Sequence, residues 1–472
     1  MKSGRGQDLA DIYARLIARA EREDDGEHVG AAHLLGNLGL VLRALKKSDE
    51  SHAAFIRALG IYEARGDIGG QPYLQALEAV MAHLEKAQRP EDAEARAKAS
   101  LNILERRGAE GTANAVAIYD WISRAVLEAG RAADAKSYAE AALALLSRGD
   151  VPERSGRADP RIGALNTLAR ASRALADHAA AEDAYRRAIA LLQEKGDKAN
   201  EGIVTDNLAV LYLSLGRLEA AERLNKRALA LLEEALGRDH PSVGRAAGNL
   251  GVLLNESGRR NEAEPLLRRA LANANVQPRP DAVHIGIIED NLAGLLRQSG
   301  RGSEAHAHYE RALQMFESAL PAKHPRLATV RNNIGRYLFD MGKFPEAEAT
   351  LASALSMFEA IHGKDSFNIA IPAANLAEVY TALGRYAEAR QLLVRALAAL
   401  ERVYGPRHSN LLATLNSAGF LELADGKPAA ARVYLERAAA AAVEARGRSG
   451  LRDGGSSPAE GQRAFHGLIE AY

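Results

Sequence analysis

The sequence has no cysteine, no net charge and no long apolar run. The absence of cysteine in 472 residues excludes disulfides, thiolate metal sites and cysteine nucleophiles. Lys+Arg and Asp+Glu are 61 each, so the bulk electrostatic attraction that serves nucleic-acid binding is not expected. No run approaches the roughly 20 apolar residues of a membrane span, and the first residues contain no signal-peptide core. We therefore expect a cytoplasmic protein that binds neither nucleic acid nor a membrane.

Motifs for catalysis are missing as well. The sequence contains no phosphate-binding loop, no dinucleotide fingerprint, no H-E-x-x-H and no G-x-S-x-G. His306 and His308 are two positions apart on a predicted helix and therefore point to different sides. Glu359 and His362 could face one metal, but metal sites in helical bundles need a second such pair. We expect no catalytic residue, no cofactor and no metal, and hence no enzyme.

What the sequence does have is a repeat of 42 residues. The stretch "NLAVLYLSLGRLEAAERLNKRAL" begins at Asn207, and similar stretches begin at Asn249, Asn291, Asn333 and Asn375. Weaker copies begin at Asn37, near Ala79, Trp121 and Thr167, and at Ser417. A fixed period of this length is typical of repeat architectures. The sequence thus predicts about ten repeats between roughly residues 30 and 445.

Each repeat reads as a helix, a turn and a second helix. In the second half of one repeat, Ala221, Leu224 and Ala228 recur at steps of three and four, which is the spacing of one helix face. Gly216 precedes that half and fits a turn that needs a positive φ. Since one helix pair cannot bury its own apolar stripe, the pairs are expected to stack. The predicted fold class is all-α.

The segment "LGRDHPSV" at 236–243 joins one repeat to the next. Gly237 is a helix stop, and Pro241 suits the first position of the following helix because its missing N–H would be unpaired there anyway. Asp239 lies where a helix cap is favoured. His324 and His408 occupy the same place as His240 at intervals of 84 residues. These histidines lie two repeats apart, too far to share a metal, so we interpret the segment as a linker.

The repeat resembles the tetratricopeptide repeat (TPR). The residues that carry the resemblance are the pair Leu208–Ala209, Tyr212, the turn Gly216, Ala221 and Ala228, and their counterparts 42 residues later. The common repeat has 34 residues, whereas the longer unit with Asn-Leu-Ala and a His-Pro linker is similar to the kinesin-light-chain subtype. The resemblance implies a right-handed α-solenoid of helix-turn-helix repeats. The long coiled coil of kinesin light chains has no counterpart before the repeats, so a motor-adaptor role is not expected.

In this family the first helices of the repeats line a concave groove, and the resemblance implies that matching positions contact a partner. These positions are polar, of mixed charge and rich in amides, which suits an extended peptide backbone or a carboxylate. They are Asp206, Arg245, Asn255, Glu256, Asp290, Arg297, Gln298, Asn332, Arg336, Asp340, Glu378 and Asn416. A solvated inner face without a client is the alternative. The recurrent asparagines that open the repeats have a second interpretation, which is support of the turn between repeats.

The chain divides into five parts. We expect an N-terminal capping helix at 1–29, about three degenerate repeats at 30–145, a loop at 146–163, about seven repeats at 164–445, and a linker with a C-terminal helix at 446–472. In that last helix Phe465, Leu468, Ile469 and Tyr472 share one apolar side.

Two functions are consistent with this organisation. The first is an interaction scaffold that binds a peptide or a partner domain in the groove. The alternative is a regulatory sensor whose superhelix responds to a small peptide or ligand. The resemblance implies an effector of the CHAT protease type or another effector, because arrays of this subtype often precede a CHAT domain in bacteria. The partner's identity, the pathway and the oligomeric state stay open.

Overall fold

The computed structural model describes residues 3–23, 29–68, 70–87, 89–106, 113–147, 159–276 and 280–449, together with 463, 466, 467 and 469. Regular structure in these ranges is helical, which confirms the all-α prediction. No helix described there has the length and hydropathy of a membrane crossing. The helices are α1 Ser3–Glu23, α2 Val29–Ala44, α3 Ser48–Arg65, α4 Gln71–Lys86, α5 Pro90–Arg106, α6 Ala113–Glu128, α7 Ala132–Ser147, α8 Pro160–Ala174, α9 His178–Lys195, α10 Lys198–Ser214, α11 Leu218–Leu236, α12 Pro241–Glu256, α13 Arg260–Asn275, α14 Ala282–Gln298, α15 Gly302–Ala319, α16 Pro325–Asp340, α17 Phe344–His362, α18 Ala370–Ala382, α19 Tyr386–Tyr404, α20 Leu412–Ala424 and α21 Pro428–Ser449.

After α1, the described helices form ten antiparallel pairs, from α2–α3 to α20–α21. The even-numbered helix of each pair, called the first helix, packs against its partner and against neighbouring helices in the stack. Short 3₁₀ turns at Phe367–Ile369 and Ser409–Leu411 lead into α18 and α20. The architecture is therefore the expected α-solenoid of ten helix-turn-helix repeats.

The pairs fall into two compact units. Unit 1 is Met1–Lys195 and unit 2 is Gly196–Tyr472, so the division lies between α9 and α10. The break that the sequence suggests at 146–163 stays a prediction. Residues 148–158 of that stretch lie outside the described residues, while α7 ends at Ser147 and α8 begins at Pro160. At the other end, α21 continues to Ser449, four residues beyond the predicted end of the repeats.

Close contact between the two helices of a pair depends on a small residue in the first helix. From α12 onward this residue is glycine in every second repeat, at Gly251, Gly335 and Gly419. A Cβ atom on them would lie 2.9, 2.5 and 2.5 Å from the Cγ of Leu267, Leu351 and Leu435, respectively. Alanine stands at the intervening repeats, as at Ala293, which is fully buried. Small residues in the first helix therefore let the two helices of a pair approach closely.

The turn within each repeat requires a left-handed backbone. Gly216, Gly258, Gly300, Gly342, Gly384 and Gly426 have φ between 69° and 79°. In two of the weaker copies of the repeat, Lys46 and Ala176 stand at this place with φ of 64° and 59°. A side chain costs about 1–2 kcal/mol in this conformation, because Cβ crowds the carbonyl oxygen. These two positions are therefore strained.

Replacing Ala176 with glycine should stabilise the protein. The left-handed φ of 59° is free of strain for glycine. The strain energy that glycine relieves in the folded state is larger than the conformational entropy that it adds to the unfolded chain, so the free energy of unfolding should rise by about 0.5–1 kcal/mol. The measurement is chemical unfolding of wild type and Ala176→Gly. Gly258→Ala is the reciprocal control, since its φ is 79° and no atom lies within 4 Å of the new Cβ. An unchanged midpoint for Ala176→Gly would contradict the assignment of strain.

From α8 onward, each first helix, or the 3₁₀ turn that leads into it, begins with a side-chain cap. Aspartate caps three of them, Asp159, Asp197 and Asp281. In the linkers with histidine, the cap is His240, not Asp239 as the sequence suggested, because the residue directly before Pro241 has the extended backbone of a cap. The Nδ1 of His240 accepts the Ser242 N–H at 3.2 Å. His324 and His408 do the same, and Ser366 replaces them in the intervening repeat.

The cap at His324 should make stability depend on pH. Its Nδ1 accepts the Arg326 N–H at 3.2 Å, which requires an unprotonated nitrogen. Burial, and then the charge of Arg326, lower the pKa of His324 below 6.5. The unfolded chain therefore binds this proton more readily, and the contribution of the cap, about 1 kcal/mol, is lost as the pH falls below about 6.5.

His324→Ser should lose less unfolding free energy than wild type between pH 7 and pH 5, because serine caps a helix without titrating. Chemical unfolding at several pH values measures this difference. His306→Ser is the control, since His306 is exposed and lies inside α15. Parallel pH profiles for wild type and His324→Ser would show that the cap does not titrate.

Candidate partner-binding face

The twelve residues predicted to contact a partner all lie on first helices of unit 2. Asp206 is on α10, and Glu378 and Asn416 are on α18 and α20; the others belong to α12, α14 and α16. We call this surface the first-helix face. The structure separates its polar residues into a buried ladder and a half-exposed string of charges.

The buried ladder ties neighbouring first helices together. The Nδ2 of Asn249 donates to Oδ2 of Asp206 at 2.8 Å. Asn333 donates to both carboxylate oxygens of Asp290 at 3.0 and 3.1 Å. Asn375 donates to Oδ1 of Asn332 at 2.9 Å. Each bond joins residues 43 positions apart, so the recurrent asparagines hold adjacent repeats through the first helices rather than through the turn.

Burial changes the acidity of the ladder aspartates. It raises the pKa of Asp206 to about 6, although the hydrogen bond from Asn249 and the charge of Arg245 act in the opposite direction. Burial likewise raises the pKa of Asp290, against the hydrogen bond from Asn333 and the charge of Arg326. Asp206, Asp290 and Asn332 are thus committed to the stacking of repeats.

The charge string lies on α14, α16 and α18. Arg297 pairs with Asp340, Arg336 pairs with Glu378, and the Nε of Arg336 lies 3.4 Å from Asp340 Oδ1. Ser417 donates to Oε1 of Glu378 at 3.0 Å. The side chains of Arg297, Arg336 and Asp340 are 23%, 27% and 35% exposed. Four predicted residues are therefore brought together, with both signs of charge accessible from solvent.

The remaining predicted residues do not join this string. Arg245 and Glu256 are exposed, and Gln298 accepts from Nη2 of Arg260 at 3.2 Å. Asn255 is half-buried, and its Oδ1 accepts no hydrogen bond from the described residues. Asn416 has no exposed surface and belongs to the packing of α20.

The sequence analysis missed several residues of the first-helix face. Phe339 lies under the guanidinium of Arg336 at 5.2 Å, and Ile371 at the start of α18 is 67% exposed. Phe420 occupies the position of Glu378 one repeat later. The 42-residue spacing could have identified Phe420, but it does not indicate which apolar side chains stay exposed.

Titratable residues outside this face form ion pairs and hydrogen-bonded pairs in the described ranges. No group of three or more His, Cys, Asp or Glu there could hold a metal. Glu289 and His308 form a buried hydrogen-bonded pair, and Nε of Arg311 donates to Glu289 at 2.9 Å. His306, two residues from His308, is exposed and stacks on Tyr337 with ring centroids 5.3 Å apart. The two histidines thus face different surroundings.

Comparison with known proteins identifies the repeat. The family model described as "Tetratricopeptide repeat" matches residues 200–275, 285–360 and 368–442, all in unit 2. Over residues 200–442 the chain belongs to the tetratricopeptide repeat family. No curated protein matches it at a significant level.

Several solved structures resemble the chain. BtubC (BKLC) from P. vanneervenii is 24% identical, with a TM-score of 0.39 over 51% of this chain and 93% of that one. The apo quorum sensor NprR from B. thuringiensis is 14% identical, with a TM-score of 0.54 over 76% of this chain and 99% of that one. A Rap protein in complex with competence and sporulation factor is 14% identical, with a TM-score of 0.51 over 78% and 98%.

Replacing Asp206 with asparagine should stabilise the protein at neutral pH. A raised pKa means that the folded state holds its proton more tightly than the unfolded one, so stability falls as the pH rises from about 4 to about 6. Asp206→Asn removes this effect and keeps an acceptor for Asn249, as Asn332 does for Asn375. We expect a gain of about 1–3 kcal/mol at pH 7.5 and a smaller gain at pH 4, measured by chemical unfolding.

Asn332→Asp is the reciprocal variant, because it places a carboxylate at the equivalent buried position. It should destabilise the protein at pH 7.5 and much less at pH 4. If Asp206→Asn gave the same change in stability at both pH values, the carboxylate would not be the source of the effect.

Proposed function

We propose that this chain is an interaction scaffold that binds a peptide or a partner domain on the first-helix face of unit 2. The observation that carries the proposal is the charge string of Arg297, Asp340, Arg336 and Glu378. These side chains are partly exposed, fixed by mutual pairing and adjacent to Phe339. Paired arginines and carboxylates exchange partners readily with a peptide's charged groups, and arginine and aromatic residues are typical of binding hot spots.

A regulatory sensor is the second candidate. Its support is the likeness in fold to a quorum sensor, NprR, and to a Rap protein that was solved with competence and sporulation factor bound. In this version of the proposal, a small peptide occupies the same face and changes the spacing of the repeats. Small-angle X-ray scattering separates the candidates, because a sensor changes its radius of gyration on binding and a rigid scaffold does not.

The test compares capture of partners by wild type and by Arg297→Ala/Arg336→Ala. Tagged protein is incubated with lysate of the source organism, and bound proteins and peptides are quantified by mass spectrometry. Loss of two hot-spot arginines should weaken binding at least about tenfold. The matched control is Arg268→Ala/Arg432→Ala, which removes two exposed arginines from second helices. A partner held equally by wild type and both double variants would place the binding site elsewhere.

A further inference from the structure

The charge string has one more member, and it comes from the C-terminal end of the chain. Nη2 of Arg463 lies 3.6 Å from Oε1 of Glu378. The Cζ of Arg463 is also 5.0 Å from the centroid of the Phe420 ring. A carboxylate beside the face of an aromatic ring is a favourable environment for a guanidinium, because the guanidinium pairs with the carboxylate and stacks on the ring.

We propose that Glu378 and Phe420 form an arginine-binding site that the chain's own C-terminal segment fills. This segment is represented by Arg463, His466, Gly467 and Ile469. The proposal rests on the proposed function, because Glu378 belongs to the charge string that is assigned there to a partner. The segment therefore has to leave before an arginine-bearing helix of a partner can use this end of the first-helix face.

A second contact holds the segment against the repeats. Gly467 is buried, and a Cβ on it would lie 3.0 Å from Cδ2 of Leu435 and 3.1 Å from Cζ of Phe420. The backbone of the segment therefore approaches α20 and α21 so closely that only glycine fits without movement. A branched side chain at 467, such as that of valine, adds atoms beyond this Cβ and should push the segment away while leaving the side chains of Glu378 and Phe420 in the protein.

Only one residue of the apolar side that the sequence predicted for this segment lies in the described ranges. Ile469, expected on that side, is 76% exposed, and His466 is exposed as well. Phe465, Leu468 and Tyr472, the other members of that side, lie outside the described residues. Among the described residues of the segment, one shared salt bridge, one cation–π contact and one close backbone approach hold it in place. Contacts of this kind suit a reversible occupant, since exposed ion pairs contribute little to stability.

The carboxylate of Glu378 is the point of competition. It pairs with Arg336 through Oε2, and its Oε1 faces Ser417 and Arg463. An incoming arginine that takes the place of Arg463 finds the same acceptor and the same ring. The ligand class of the site is thus an arginine on a short helical segment with a small residue four positions later.

The experiment uses full-length protein and a fluorescein-labelled synthetic peptide, GQRAFHGLIEAY, which copies residues 461–472. Binding is followed by fluorescence anisotropy. In wild type the chain's own segment occupies the site. The apparent affinity for the peptide is therefore reduced in proportion to the fraction of molecules in which the site is open. Arg463→Ala and Gly467→Val free the site by different routes, so each should bind the peptide at least about tenfold more tightly than wild type does. Ile469→Ser is the control and should bind as wild type does.

Two further measurements complete the test. Adding Glu378→Gln to Arg463→Ala should abolish the gain, and a peptide with alanine in place of its arginine should bind weakly to every variant. The proposal is overturned if the peptide binds wild type and both opened variants equally, or binds none of them. It is also overturned if Glu378→Gln leaves the gain intact. The titration uses no outside partner, so failure of the lysate capture would reject the proposed function without altering this result.

Discussion

The close approach of the two helices within each repeat is the contact on which the rest of the array depends. It is set by the small residue of the first helix, as where Gly335 faces Leu351 at a distance that admits no Cβ. Because a single pair leaves its outer stripe uncovered, this contact is productive only when the next pair is stacked upon it. The positive-φ turns and the caps before the first helices then fix where each pair begins and reverses.

Polar side chains on the first helices have two separate roles. Where a polar residue lies 43 positions before a recurrent asparagine, it is buried and bonded to the next repeat, as Asp206 is to Asn249. Where charges lie further along the helix, as at Arg336, they pair across the surface and stay in reach of solvent. The same helices therefore hold the stack together and present groups for recognition, and substitutions at the two sets should have different consequences.

Much of the architecture could be predicted from the sequence because a strict period leaves few alternatives. The number of repeats, the turn glycines and the close helix contacts follow from Gly216, Gly251 and their counterparts. The candidate site was predicted only in part. Whether Asn416 is buried or Arg297 meets Asp340 depends on distances between helices that the spacing of residues does not define. The capping residue was misplaced by one position, since the sequence offered both Asp239 and His240 next to Pro241.

The hydrogen bonds described between neighbouring repeats have a consequence for how the chain folds. They join residues no more than 46 positions apart, as in Arg390 with Glu422 and Asn114 with Ile68. For a chain of 472 residues these are local contacts, so closing each loop costs little entropy. Folding can begin in any pair and spread to its neighbours. A ribosome that has released about two repeats has already supplied every residue that such a bond requires.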